Sequence, residues 1–257
     1  MSDSPPIAAG HVVSSVSEGV GTVSFFHPKG NSLPSRLLTQ LASAIDEMGK
    51  NDEARVVVLR SEGTGPFCAG ASFDELRMIA NAEDGKRFFS GFAHVILAMR
   101  RCPKFVVTRV HGKAVGGGVG VVAASDYSIA TSGAHLRLSE LAIGIGPFVV
   151  GPVIERKIGH GHFSALSTDF DWRDSDWGAR VGLYSRVEDS VASLDTAVSV
   201  LARRLAAAHD AAMTELKRNY WEGTDHWDTL LFERAATSGR LILSEHSRAA
   251  IDRFAAG

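Results

Sequence analysis

Cysteine is scarce in this chain: Cys68 and Cys102 are the only two, in unrelated contexts and without metal-type spacing. That excludes a disulfide framework or a thiolate zinc site and makes a reducing, cytoplasmic setting the default. There is no run of about 18 apolar residues, and the opening MSDSPPIAAG lacks a basic start followed by an apolar core. Neither a membrane span nor a signal peptide is expected. Charge of one sign is also missing, since Lys and Arg total 27 against 29 for Asp and Glu. With a sequence pI near 6.6 there is no basic footprint for nucleic acid or an anionic membrane. No G-x-S-x-G elbow, internal repeat or low-complexity segment occurs. What remains is 257 residues with 45% hydrophobic content, enough for one large core plus an appendage.

The densest signal lies between Lys104 and Thr131, KFVVTRVHGKAVGGGVGVVAASDYSIAT. A β-branched run is followed by the turn His111-Gly112, then by glycines 116–118 opening a small-residue helix. Strand, glycine turn and helix together aim backbone N–H groups at whatever approaches the turn. An anion or a developing oxyanion suits such a place. A second turn of the same kind is expected at SEGTGPFCAGASFDEL, where Gly70 and Ala71 pass from strand to helix.

In order, residues 1–10 read as a loose tail, and HVVSSVSEGVGTVSFFH as a hairpin of two edge strands around Glu18-Gly19. Pro34 opens a helix with Leu37, Leu38, Leu41, Ile45 and Met48 on one face, and VVVLRS at 56–61 is a strand covered on both sides. Helices are expected at 73–80 and 84–101, a strand from 104, and β segments at 127–131 and 135–138 that deliver Glu140. Beyond Gly146-Pro147 the pattern turns helical, over 148–158, 160–168, 174–181, 190–209, 211–222, 226–237 and 240–254. The domain division that follows is a tail (1–10), an α/β core (11–188) and a C-terminal helical oligomerisation region (189–257).

The ordered set Asn31 to Leu33 before a helix, FCAGASFDEL, HGKAVGGGVG, SDYSIAT and LSELAIGIGP resembles the crotonase (enoyl-CoA hydratase/isomerase) superfamily along essentially the whole chain. The resemblance implies an α/β crotonase (ClpP-like) fold of repeated ββα units with a C-terminal helical region. It implies an acyl-CoA thioester as substrate, no cofactor and no metal, and a homotrimer or a hexamer made of two trimers. Carried over residue by residue, the amides that hold the thioester oxygen are those of Ala69 and Gly117, and the catalytic acid is Glu140. Two such donors stabilise an enolate, each typically lowering the barrier by about 2.7–4 kcal/mol. Where the hydratases of the family have a first glutamate, this chain has Gly120. One carboxylate remains, as in the family's Δ3,Δ2-enoyl-CoA isomerases.

Further substrate or CoA contacts are expected from Lys29, Cys68, Ala71, Phe73, Gly116, Gly120, Arg137 and Phe148. Arg137 is either the cation for a substrate carboxylate or a surface arginine, and Lys29 either a phosphate partner or an exposed turn residue. His111 reads as a structural turn residue. Trp221, Trp227 and Phe232 either cover the chain's own active site or lie between subunits. The longer match, including LSELAIGIGPFVVGPVIERKIG and WEGTDHWDTLLFERAATSGRLILS, resembles a bacterial branch of methylglutaconyl-CoA hydratases and 3-hydroxy-3-methylglutaryl-CoA dehydratases. The expected activity is a hydro-lyase interconverting those two acyl-CoAs. The alternatives are a single-glutamate isomerase and a silent acyl-CoA or RNA-binding homologue.

Overall fold

The computed structural model describes residues 10–255. The loose tail expected for residues 1–10 therefore lies outside the described residues, apart from Gly10, whose carbonyl accepts from the Arg36 guanidinium at 2.9 Å.

Strands β1 (His11–Ser17) and β2 (Val20–Phe26) form the expected hairpin. Its two turn residues, Glu18 and Gly19, have φ of 51° and 77°. Positive φ at both positions gives the turn a twist that matches its strands. One expectation is corrected: only β1 is an edge, because β2 also pairs in parallel with β3 (Val56–Ser61). The sheet continues in parallel through β4 (Val106–Val110), β6 (Tyr127–Thr131) and β8 (Arg186–Glu188), in the order β1-β2-β3-β4-β6-β8. A second, two-stranded sheet pairs β5 (Ala114–Val115) with β7 (Leu136–Arg137). The short β5 and β8 were not expected, since two or three residues carry no readable alternation. They form because β7 and β6 are there to pair with.

The parallel strands are largely apolar on both faces because both are covered. On one face lie α1 (Ser35–Lys50) and, after the short α2 (Phe73–Met78), α3 (Ala82–Arg101), with Leu37, Leu41, Ile45, Phe92 and Ile96 in the main core. On the other, α8 (Val191–Ala206) places Leu194, Ala197, Val198 and Ala202 against Val56, Val58, Phe105, Val107 and Ile129. Asn81 caps α3 by accepting from the N–H of Asp84 at 2.9 Å, so this helix begins two residues before the expected start.

After β4 come α4 (Gly117–Ala123), a 3-10 turn at Leu141–Ile143, and α5 (Gly151–Ile158), α6 (His160–Asp169) and α7 (Ser175–Arg180). Beyond α8 follow α9 (Asp210–Tyr220), α10 (Trp227–Leu241) and α11 (Glu245–Ala255). α10 packs along α3, and a Cβ on Gly239 would sit 2.4 Å from the backbone nitrogen of Lys86. Trp227, Leu231 and Ala235 of α10 are buried in the main core, and the Trp227 ring stands edge to face with Trp221 across 5.9 Å. The ring of Trp227 packs within the chain's own core, and neither it nor Trp221 nor Phe232 lines the cleft described below. No helix among the described residues is long and apolar enough to cross a membrane.

Candidate active site

The two glycine turns meet side by side. Cys68 donates its N–H to the Lys113 carbonyl at 3.2 Å and accepts from Val115 N–H at 2.9 Å, which joins the turn after β3 to β5. At Gly70, φ is +86° and a Cβ would lie 2.8 Å from the Val115 oxygen, so only glycine lets the turns approach this closely. The Gly70 carbonyl is held by Leu33 N–H at 2.8 Å. Beyond β5, Gly116 donates to the Arg137 carbonyl at 2.9 Å and accepts from Val119 at 2.9 Å, fixing the start of α4.

This register decides which amides are available. The N–H of Ala69, expected to hold the thioester oxygen, donates to the Gly30 carbonyl at 3.0 Å. That expectation is therefore corrected: a donor already bound to a backbone carbonyl cannot also serve an oxyanion. Two positions along the chain, Ala71 lines the cleft and its N–H has no acceptor among the described residues. The same holds for Gly117. Ala71 and Gly117 thus each present a free N–H on the cleft lining.

Glu140 faces them at the end of β7. A Cβ on Gly116 would come 2.9 Å from its Oε1, which measures how closely the carboxylate lies against the glycine turn. Part of the residue is open to the cleft, yet Oε2 is buried with no hydrogen-bond partner among the described residues. Desolvation pushes its pKa up to about 7, against smaller opposing pulls from the N–H groups of Glu140 and Ser139 and from Arg137. Ile143, Ile145, Phe148 and Val149, which line the same cleft, supply the apolar surroundings. At neutral pH this carboxyl is divided between its two protonation states, the condition for both taking and returning a proton.

No second acid can enter from α4. A Cβ on Gly120 would lie 2.4 Å from Cγ1 of Val150, so Val150 fills the volume a side chain at 120 would need. Gly120 itself does not line the cleft; Val150 does. Apart from Glu140, the polar side chains on the lining are Ser139 and Ser238, the latter from α10.

The other expected contacts separate into three groups. Phe73, Phe148 and Gly116 line the cleft, joined by Phe89 and Phe92 of α3. Cys68 and Gly120 do not: Cys68 is fully buried behind the turn, accepts from Gly70 N–H at 3.4 Å, and burial pushes its thiol up to about 12. Both are corrected to packing residues. Lys29 and Arg137 lie outside the lining, Lys29 in an exposed ion pair with Asp74 at 2.6 Å and Arg137 over the Trp172 ring at 5.3 Å. His111 is buried, and burial, followed by the charges of Arg109 and Arg60, lowers its pKa to about 4. It is neutral, and it also lies outside the cleft lining. Ser238 and Val150 were not anticipated. Neither carries a local signal, since each reaches the cleft only through the packing of a distant helix or loop.

The sequence model of the enoyl-CoA hydratase/isomerase family matches residues 15–255. Mitochondrial methylglutaconyl-CoA hydratase of Rattus norvegicus is 32% identical over 158 residues, covering 61% of this chain and 50% of that protein. Short-chain-enoyl-CoA hydratase of Clostridium acetobutylicum is 26% identical over 238 residues, 91% of this chain and 90% of that protein. The first curated relatives are spanned over about half their length. The crystal structure of enoyl-CoA hydratase from Bacillus halodurans superposes with a TM-score of 0.86 at 19% identity, over 94% of this chain and 99% of that one, and so shares the fold. With the matched segment running through both glycine turns, Glu140 and the C-terminal helices, the chain belongs to the enoyl-CoA hydratase/isomerase family.

Proposed function

We propose that the chain is an acyl-CoA hydro-lyase that uses one carboxylate for both proton transfers. The observation that carries this reading is Glu140, with a pKa of about 7, in the same cleft as the free N–H groups of Ala71 and Gly117. In the dehydration direction Glu140 takes the proton from the carbon next to the thioester. The electron pair of that C–H bond moves into the enolate, whose oxygen the two amides hold. Protonated Glu140 then gives its proton to the β-hydroxyl, the enolate pair returns to form the α,β double bond as the C–O bond breaks, and water leaves with the C–O pair. Hydration is the reverse.

The relatives named methylglutaconyl-CoA hydratase support 3-methylglutaconyl-CoA and 3-hydroxy-3-methylglutaryl-CoA as the pair. For the free carboxylate of these acyl groups, Arg137 is the cation nearest Glu140 in sequence, although it is not on the lining. Assembly as a trimer, alone or paired, is part of the same proposal.

A second reading is favoured by Val150: with its side chain where a second acid would stand, the cleft suits a Δ3,Δ2-enoyl-CoA isomerisation that needs no bound water. Incubating the protein with 3-methylglutaconyl-CoA, crotonyl-CoA and 3-hexenoyl-CoA in heavy-oxygen water separates the two. Heavy oxygen in the product supports the hydro-lyase; double-bond migration without it replaces that reading with isomerisation.

A further inference from the structure

On the face of the sheet that carries α8, two arginines stand directly opposite each other. Arg60 of β3 and Arg109 of β4 are register partners. Like charges so placed repel, and the repulsion grows as water is excluded. Arg109 is only 5% exposed, and its Nε donates to Oδ1 of Asp195 at 2.5 Å. That carboxylate pairs with Arg109 and also feels the charge of Arg60, both of which lower its pKa. Arg60 has no carboxylate partner among the described residues, and its Nε is buried without a hydrogen bond.

Both arginines open into a cavity bounded by the β1–β2 hairpin and α8, to which Arg203 adds a third positive charge. Glu18 and Asp195 are the acids on its lining, so three positive charges meet two negative ones. Ser15 and Thr22 are cross-strand partners that also line it, and their hydroxyls make no hydrogen bond among the described residues. Unpartnered guanidinium and hydroxyl donors around one cavity match a group rich in acceptor oxygens. The depressed pKa of His111, to which Arg109 and Arg60 contribute, is a separate sign of the positive field on this side. No residue lines both this cavity and the acyl cleft.

We propose that this cavity binds a phosphate group, with Arg60 and Arg203 as its charged donors, Arg109 behind them, and Ser15 and Thr22 as neutral donors. The site is independent of the thioester chemistry. Its ligand is either free inorganic phosphate or the phosphate of a nucleotide.

The test compares thermal melting of the full chain in sodium phosphate and in sodium chloride at matched ionic strength, for wild type and Arg60→Met. The expected result is a saturating rise in Tm for wild type, on the order of 5 °C at a hundredfold excess over Kd. Arg60→Met loses that saturating rise and keeps wild-type turnover of acyl-CoA. General stabilisation by phosphate as a salt does not saturate and persists in the variant. An equal rise in both proteins overturns the proposal. If the variant does not fold, the phosphorus resonance of inorganic phosphate titrated with wild-type protein saturated with CoA decides: saturable broadening supports the site, and its absence overturns it. A tenfold or greater preference for adenosine monophosphate over inorganic phosphate that Arg60→Met abolishes assigns a nucleotide phosphate, and equal affinity assigns the free ion. Arg60-dependent self-association without any phosphate effect would hand the cavity to a second copy and sink the proposal.

Discussion

Cγ1 of Val150 lies 2.4 Å from where the Cβ of any side chain at position 120 would begin. The two residues are therefore a complementary pair, one absent side chain and one that occupies its volume. Gly120→Glu is expected to destabilise the protein by about 1–3 kcal/mol through overpacking. Adding Val150→Gly should restore most of that loss, because it removes the obstructing methyls. Urea unfolding of the two variants measures this; additive losses would show that the two positions are not coupled.

Glu140→Gln removes the group proposed to carry both protons. Turnover of a 3-hydroxyacyl-CoA is expected to fall by about 10²–10⁴. In the wild type, kcat/KM for this substrate should rise with pH through about 7, because Glu140 must be ionised to take the first proton. Loss of that inflection in the variant, with residual activity flat in pH, is the expected signature. An unchanged profile would assign the base elsewhere.

The same substitution should change stability with a definite sign. Glu140 has a folded pKa of about 7, above its ordinary 4.5. Below pH 4.5 it is protonated in both states and costs nothing. Between 4.5 and 7 the unfolded chain ionises while the folded one does not, so folding is penalised increasingly up to about pH 7. Glu140→Gln is thus expected to be more stable than wild type above pH 7, by about 1–3 kcal/mol, and equal to it below pH 4.5. Chemical denaturation at several pH values reads this directly.

His111 acts in the opposite sense. Its folded pKa of about 4 lies below the ordinary 6.5, so it is neutral in the fold. As pH drops from 6.5 toward 4 the unfolded chain takes up a proton that the folded chain does not, and stability is lost. His111→Gln should flatten this acid limb. An unaltered limb would place the acid-sensitive group at another residue.

The meeting of α3 and α10 is close enough to be tested by one methyl. Since a Cβ at Gly239 would stand 2.4 Å from a backbone nitrogen, Gly239→Ala forces the helices apart. A stability loss of about 1–3 kcal/mol is expected. Because the neighbouring Ser238 lines the cleft, KM for acyl-CoA should rise as well.

The sequence marks these elements unevenly, and the differences have physical causes. VVVLRS forms β3 at the residues expected because its first four residues are the continuous apolar run of a buried parallel strand, a property written locally. Ala69 and Ala71 cannot be told apart in the same way, as both sit in CAGAS beside glycine. What separates them is the Gly30 carbonyl, some forty positions earlier, which takes up the N–H of one and leaves the other free. Likewise Gly120 shows plainly that an acid is missing, while Val150, which fills the space, is thirty residues away. Local chemistry is legible where one residue suffices; pairings across the chain become visible only once it is folded.

Ser238 belongs to α10, the next-to-last helix, yet it forms part of the wall around a thioester site whose amides and carboxylate all lie before residue 141. During synthesis those groups leave the ribosome roughly a hundred residues before the helix that closes the pocket. A nascent or truncated chain would therefore hold its reactive groups in an open, water-filled groove, and selection for acyl shape can begin only when the last turns of α10 dock on α3.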